Sequence, residues 1–182
     1  DHTSGTDRVA EVAERPDYRD HEFIVNLQGD ELFLPPAAVA EALERVRAGW
    51  HIGTAAVPIV SEAEWRDPSV VKVVCDDQGA ALYFSRAPIP HGLDGGVPPA
   101  ELEGGQALRH IGIYAFTRAA LRRAVALPRH RLEESEGLEQ LRWLAGGLRI
   151  GVALVEGGAP GIDTEEDVER AEDMLRERRE IQ

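Results

Sequence analysis

The segment Phe23-Ile-Val-Asn-Leu-Gln-Gly-Asp-Glu31 constrains the fold of this chain more than any other. A short apolar run ends in Gln28-Gly29-Asp30-Glu31, and Pro35-Pro36 then opens a helical pattern. Strand, glycine turn and helix in that order build an α/β sheet, whose ligands sit outside the carboxyl ends of the strands. The acidic pair on the turn is therefore a candidate site for metal and phosphate. The plainer alternative is a polar strand-to-helix loop.

The remaining pattern extends the α/β reading. Ser4-Gly-Thr-Asp7 is a helix start with Ser4 as cap, followed by an apolar stripe of Val9, Val12 and Ala13. A helix is predicted from about Pro36 to Ala48 with Val39, Leu43 and Val46 inward, then a buried strand over Thr54–Val60 and a helical turn over Ser61–Trp65. Val70–Asp76 and Ala80–Ser85, joined by Asp77-Gln-Gly79, read as a hairpin, which makes the sheet mixed. Residues 86–108 form a loop-rich excursion with Pro88, Pro90, Pro98 and Pro99. His110–Phe116 is a strand, Thr117 caps a helix through about Val125, and Leu132–Leu144 is one helix ended by Gly146-Gly147. Arg149–Val155 is a further strand, and Thr164-Glu-Glu-Asp167 caps a final helix with Val168, Ala171 and Leu175 inward. Residues 1–182 are read as one domain. The chain opens at Asp1 in what reads as mid-domain, so an N-terminal piece is expected beyond it.

Composition narrows the partners. A net charge of −13 supplies no basic face for nucleic acid. Anionic small molecules then require local arginines or a bridging cation, and Lys72 is the only lysine. No apolar run is long enough to cross a bilayer, and a cytoplasmic protein is expected. Cys75 is the sole cysteine, which excludes an intrachain disulfide and reads as a buried strand residue.

Three constellations can carry chemistry. Asp30 and Asp163 each follow a predicted strand and precede a helix, so neighbouring strands would bring both to one sheet edge. Magnesium takes one or two such carboxylates and fills its shell with water and phosphate oxygens. Arg86, Arg109, His110 and Tyr114 combine a guanidinium, an imidazole and a phenol, a set suited to a carboxylated, hydroxyl-rich ligand; His110 and Tyr114 share one strand face. The alternative is strand-end charge in solvent. Glu133, Glu136, Glu139 and Gln140 lie on the predicted helix, with Glu133, Glu136 and Gln140 along one face, a pattern usual for a solvated surface. Ser4 and Arg8 belong either to a plain N-cap or to an anion site at a helix start.

Six segments in order carry a resemblance: His2-x-Ser-Gly-Thr-Asp-Arg8, Asn26-x-Gln-Gly-Asp-Glu31, Tyr83-Phe-Ser-Arg-Ala-x-Ile-Pro90, Arg109-His-x-Gly-Ile-Tyr114, Leu138-Glu-Gln-Leu-Arg142 and Gly161-x-Asp-Thr-x-Glu-Asp167. Over nearly its whole length the chain resembles the 3-deoxy-manno-octulosonate cytidylyltransferases. The resemblance implies a nucleotide-diphospho-sugar transferase-like three-layer α/β sandwich with a mixed, mostly parallel sheet, usually as a homodimer. It implies CMP transfer from CTP to the anomeric hydroxyl of a sugar acid, with Mg²⁺ required and pyrophosphate released, for lipopolysaccharide biosynthesis. Asp30 and Asp163 are then the catalytic metal ligands. Ser4, Gly5, Thr6, Arg8 and Gln28 fall on the nucleotide side. Arg86, Arg109, His110, Tyr114, Glu139 and Gln140 fall on the sugar-acid side, with Arg109 the choice for its carboxylate. Two departures stand out: Leu32 replaces the family's proline after Gly-Asp-Glu, and nothing corresponds to the family's N-terminal arginine- and lysine-containing phosphate loop. Alternatives are a cytidylyltransferase for sialic acid or an amino-substituted octulosonate, or a truncated noncatalytic homologue.

Overall fold

The computed structural model describes residues 2, 4–29, 31, 34–59, 61–91 and 107–157. Six strands form one mixed sheet: β1 (Phe23–Leu27), β2 (Ile52–Pro58), β3 (Lys72–Cys75), β4 (Ala81–Ser85), β5 (Leu108–Thr117) and β6 (Ile150–Leu154). Their order is β4-β3-β5-β2-β6, with β1 also on β5. The longest of them, β5, organises the sheet. β2 pairs along it from Leu108 to Phe116, while β3 pairs only with Leu108 and Arg109 and β1 with Ile113 to Thr117.

Helices cover both faces. Those described are α1 (Gly5–Ala13), α2 (Pro36–Arg47), α3 (Glu62–Arg66), α4 (Arg118–Ala126), α5 (Arg131–Glu136) and α6 (Gln140–Ala145). On one face Leu108, Tyr114 and Phe116 of β5 pack with Ala13, Leu121, Leu141 and Trp143. On the other Ile111, Ile113 and Ala115 pack against Ala38, Ala42 and Val46 of α2. The alternation of β5 thus divides two cores, as the two-residue period of a strand requires. Ser4, Ser61 and Thr117 each accept a backbone N–H at a helix start, at 3.1 Å.

Several expectations are revised. The mixed α/β sandwich stands, but its balance is reversed among the described strands. β1–β5, β2–β5, β3–β4 and β3–β5 are antiparallel and β2–β6 alone is parallel. The reason is β5, which runs against all three of its neighbours. The helix expected over Leu132–Leu144 is broken, because Gly137 adopts a left-handed conformation (φ 65°) and closes α5 before α6 begins. Glu133, Glu136 and Gln140 therefore do not share a helix face. Inside α2 the fully buried residues are Ala38, Ala42 and Val46; Val39 is partly buried against the same core, and Leu43 is only half-buried. Val12 is exposed, while Val9 packs on the core. Cys75 is only half-buried. Asp30, most of the 86–108 excursion, Asp163 and the final helix lie outside the described residues.

Candidate functional site

The outer edge of β5 is shared between two strands, and the site opens where they part. On the β3 side the His110 N–H reaches the Val71 carbonyl at 2.8 Å; on the β1 side the Gln28 N–H reaches the Gly112 carbonyl at 3.0 Å. A cavity of about 820 Å³ occupies this fork, a size suited to a small-molecule or cofactor site. It is walled by α1, the end of β1, α3, the Asp67–Val71 turn, β5 and the α5–α6 junction.

Gly112 makes the floor. A Cβ there would lie 2.2 Å from Gln28 Oε1 and 3.0 Å from Glu31 Oε1, so only glycine lets both side chains lie across the strand. The Glu31 carboxylate accepts the Gly112 N–H at 2.6 Å and anchors the turn after β1. Gly29 and Glu31, which flank Asp30 in the sequence, both line the cavity.

On the α1 wall, Thr6 is buried and donates to Glu139 Oε2 at 2.6 Å, while Asn26 Nδ2 reaches Thr6 Oγ1 at 3.5 Å. The other oxygen of Glu139 receives Arg142 Nη2 at 2.5 Å, and Glu133 stands 3.6 Å from Arg142 Nε. Glu133 and Glu139 are therefore internal counter-charges and not a solvated face. Arg8 lines the cavity, and its guanidinium has no hydrogen-bond or ion-pair partner among the described residues. Ser4 serves the helix cap and does not line the cavity.

The opposite wall carries Arg109, His110 and Tyr114, all buried. Arg109 Nε donates to Glu64 Oε1 at 2.9 Å, an ion pair with side-chain exposures of 6% and 16%. Its electrostatic value to binding is therefore set against an existing partner. His110 packs edge-on to Phe84 and beside Tyr114, with ring centroids 5.1 and 5.3 Å away. Burial, aided by the charge of Arg109, pushes its pKa down to about 3 and keeps the ring neutral. Burial, with Glu139 and Glu31 nearby, holds the Tyr114 phenol well above its ordinary range, so it remains a hydroxyl. Gln140 is buried on the same cavity. Arg86 lines the wall but is a clamp, donating to the carbonyls of Glu136 and Pro68 at 3.0 Å each. Glu136 in turn binds the Ser85 hydroxyl and the Arg86 N–H, at 2.7 and 2.9 Å.

The structure thus gathers Gly5, Thr6, Arg8, Gln28, Arg86, Arg109, His110, Tyr114, Glu139 and Gln140 around one cavity. Among the described residues no group of three or more His, Cys, Asp or Glu side chains could hold a metal ion. Glu64, Gly112, Asn26 and Lys72 shape the site without having been singled out as site residues, and Glu31, half of the acidic pair on the turn, serves the Gly112 N–H. Asn26 and Gly112 stand inside segments that carry the resemblance, and Lys72 is the lone lysine. Glu64 had no such signal.

A family model described as cytidylyltransferase matches residues 1–150. The chain is 50% identical over 172 residues to the 3-deoxy-manno-octulosonate cytidylyltransferase of Gemmatimonas aurantiaca, covering 94% of this chain and 66% of the relative. It is 46% identical over 179 residues to that of Serratia proteamaculans, covering 97% and 72%. It therefore spans about two thirds of the length of these relatives. A structure of CMP:2-keto-3-deoxy-manno-octonic acid synthetase complexed with CTP superposes with a TM-score of 0.81 at 37% identity, over 98% of this chain and 70% of the other. The inositol-1-phosphate CTP transferase from T. maritima shares the fold, with a TM-score of 0.53 at 17% identity.

Proposed function

Because the chain belongs to the 3-deoxy-manno-octulosonate cytidylyltransferase family, we propose that it transfers CMP from CTP to the anomeric hydroxyl of 3-deoxy-D-manno-octulosonate, releasing pyrophosphate, for lipopolysaccharide biosynthesis. The observation that carries this reading is the single cavity at the β1–β3 fork, which collects residues from both halves of the resemblance. Thr6, Gln28 and Arg8, which has no ion-pair partner among the described residues, form the side suited to a nucleotide and its phosphates. Arg109, His110, Tyr114 and Gln140 offer a buried, hydrogen-bonding wall suited to a hydroxyl-rich acid.

The cavity residues position and desolvate the reactants. Arg109 exchanges or shares its Glu64 carboxylate for that of the sugar acid, and Glu139 holds α1 against α6 through Thr6 and Arg142. Such reactions depend mainly on placement and on stabilising phosphate charge. By the resemblance, Asp30 and Asp163 would hold magnesium; Gly29 and Glu31, the sequence neighbours of Asp30, line the cavity. Bound there, Mg²⁺ would neutralise phosphate charge as a Lewis acid. A homodimer and a cytoplasmic location belong to the same proposal. Among the described residues no helix is long and apolar enough to cross a membrane.

The test is pyrophosphate release across a panel of nucleotides and sugar acids. The expected outcome is release from CTP only with a 3-deoxy-octulosonate and Mg²⁺ together. Equal rates with a sialic acid would refute the substrate.

A further inference from the structure

β2 and β5 keep a regular ladder from Ala55 to Pro58, opposite Ile111 to Leu108, and again at Ile52 and Gly53, opposite Phe116 and Ala115. Thr54 falls in the interruption, a single residue facing the surplus stretch of β5 around Ile113. Its side chain has no exposure, and its hydroxyl fills the gap. Oγ1 lies 2.7 Å from the Ile113 carbonyl oxygen and 2.9 Å from His110 Nε2. A carbonyl can only accept, and a threonine hydroxyl has one proton to give. That proton is committed to Ile113, so the contact with the imidazole requires a hydrogen on Nε2.

We propose that Thr54 is a positioning residue that fixes His110 as its neutral Nε2–H tautomer, so that Nδ1 accepts a hydrogen bond from a hydroxyl of the sugar acid. The ring lines the cavity, and Nδ1 has no partner among the described residues. Phe84 and Tyr114 hold the ring plane from two sides. Around it Arg109 is a donor only, so an acceptor at Nδ1 supplies what a hydroxyl proton needs and the guanidinium cannot. A hydrogen on Nδ1 would instead face that hydroxyl as a second donor. Ligand selection at this position thus depends on a residue of β2 that does not itself line the cavity. The ligand half of the proposal rests on the sugar-acid reading; the tautomer does not.

The experiment is long-range ¹H–¹⁵N correlation spectroscopy of protein labelled with ¹⁵N-histidine, with the His110 signals assigned by their loss in His110→Gln. The wild type is expected to give the Nε2–H pattern without any ligand. Thr54→Val keeps the side-chain shape but removes the acceptor, and is expected to lose that pattern at least in part. Its KM for 3-deoxy-octulosonate should rise about tenfold with the KM for CTP unchanged, a difference of about 1.4 kcal/mol in binding. Thr54→Ser should restore both readouts. An Nδ1–H ring in the wild type, or an unaltered tautomer in Thr54→Val, overturns the proposal. A tautomer that responds while the octulosonate KM does not overturns the hydroxyl contact. If Thr54→Val fails to fold, the wild-type and Thr54→Ser spectra still decide the tautomer. If calorimetry shows no octulosonate binding to the wild type, the sugar-acid reading fails, and the spectra still decide the role of Thr54.

Discussion

Buried charge around the cavity is held by backbone carbonyls as much as by opposite charge. Lys72 has no exposure, and its ammonium donates to the carbonyls of Asp67, Val70 and Arg86 at 2.7, 2.6 and 2.6 Å. All three residues line the cavity, so one side chain pins two stretches of its wall. Burial brings the Lys72 pKa down to about 8, yet the three bonds keep a cation in place at neutral pH. Lys72→Met should cost about 3 kcal/mol, since it strands acceptors that a charged donor had satisfied; urea denaturation measures it. His110 makes the opposite case. Its folded pKa, about 3, lies below the ordinary 6.5, so its contribution is full above pH 6.5. As pH falls toward 3 the unfolded chain takes up a proton that the folded chain refuses. Stability from this group then drops by up to about 1.4 kcal/mol per pH unit. The difference in unfolding free energy between wild type and His110→Gln should therefore narrow from pH 7 to pH 4. Parallel pH curves would refute the buried neutral ring.

At the scale of elements, glycine decides how closely backbones meet. At Gly53 of β2 a Cβ would lie 1.8 Å from the Ala42 carbonyl oxygen of α2. Helix and strand touch backbone to backbone there, which is why the small Ala38 and Ala42 are the fully buried residues while Val39 packs at the margin of the same core. The apolar period of α2 was legible in the sequence, but its phase depended on a strand that the helix pattern does not mention. Gly53→Ala should prevent folding or cost roughly 3 kcal/mol or more, because a backbone oxygen cannot move aside cheaply. Thermal melting and soluble yield give the answer. Gly112→Ala differs in kind. Its added methyl would press on the Gln28 amide, the movable end of a side chain. The fold should survive with a melting temperature close to wild type, while Gln28 leaves the floor and the KM for substrate rises. Equal damage to folding at both glycines would refute the distinction. The α5–α6 break was likewise present in the sequence as Gly137. Glu133, Glu136 and Gln140, spaced three and four apart, imitated a continuous helix and hid it.

Across the whole molecule, the cavity is assembled from residues far apart in the chain. Thr6 and Glu139 stand 133 positions apart and share a 2.6 Å hydrogen bond. The cavity residues expected from the resemblance were legible because the six matching segments contain them. Thr54, Glu64 and Lys72 were not, because they act on another side chain or on carbonyls, and their identity has meaning only once the sheet has placed those partners. Asp30 and Asp163, expected from the resemblance, make a claim of the same reach, two carboxylates 133 positions apart serving one ion. If they do, each is useless without the other. Asp30→Asn and Asp163→Asn should each lower turnover roughly a thousandfold or more, and the double variant should be no slower than either single one. The urea midpoints should stay near wild type, since the losses are of chemistry and not of packing. Turnover measured against magnesium concentration completes the test: both variants should respond only weakly at concentrations that saturate the wild type. A variant that keeps near-wild-type turnover at low magnesium removes its aspartate from the metal site. Multiplying losses in the double variant would mean that the two carboxylates work independently, with no shared ion between them.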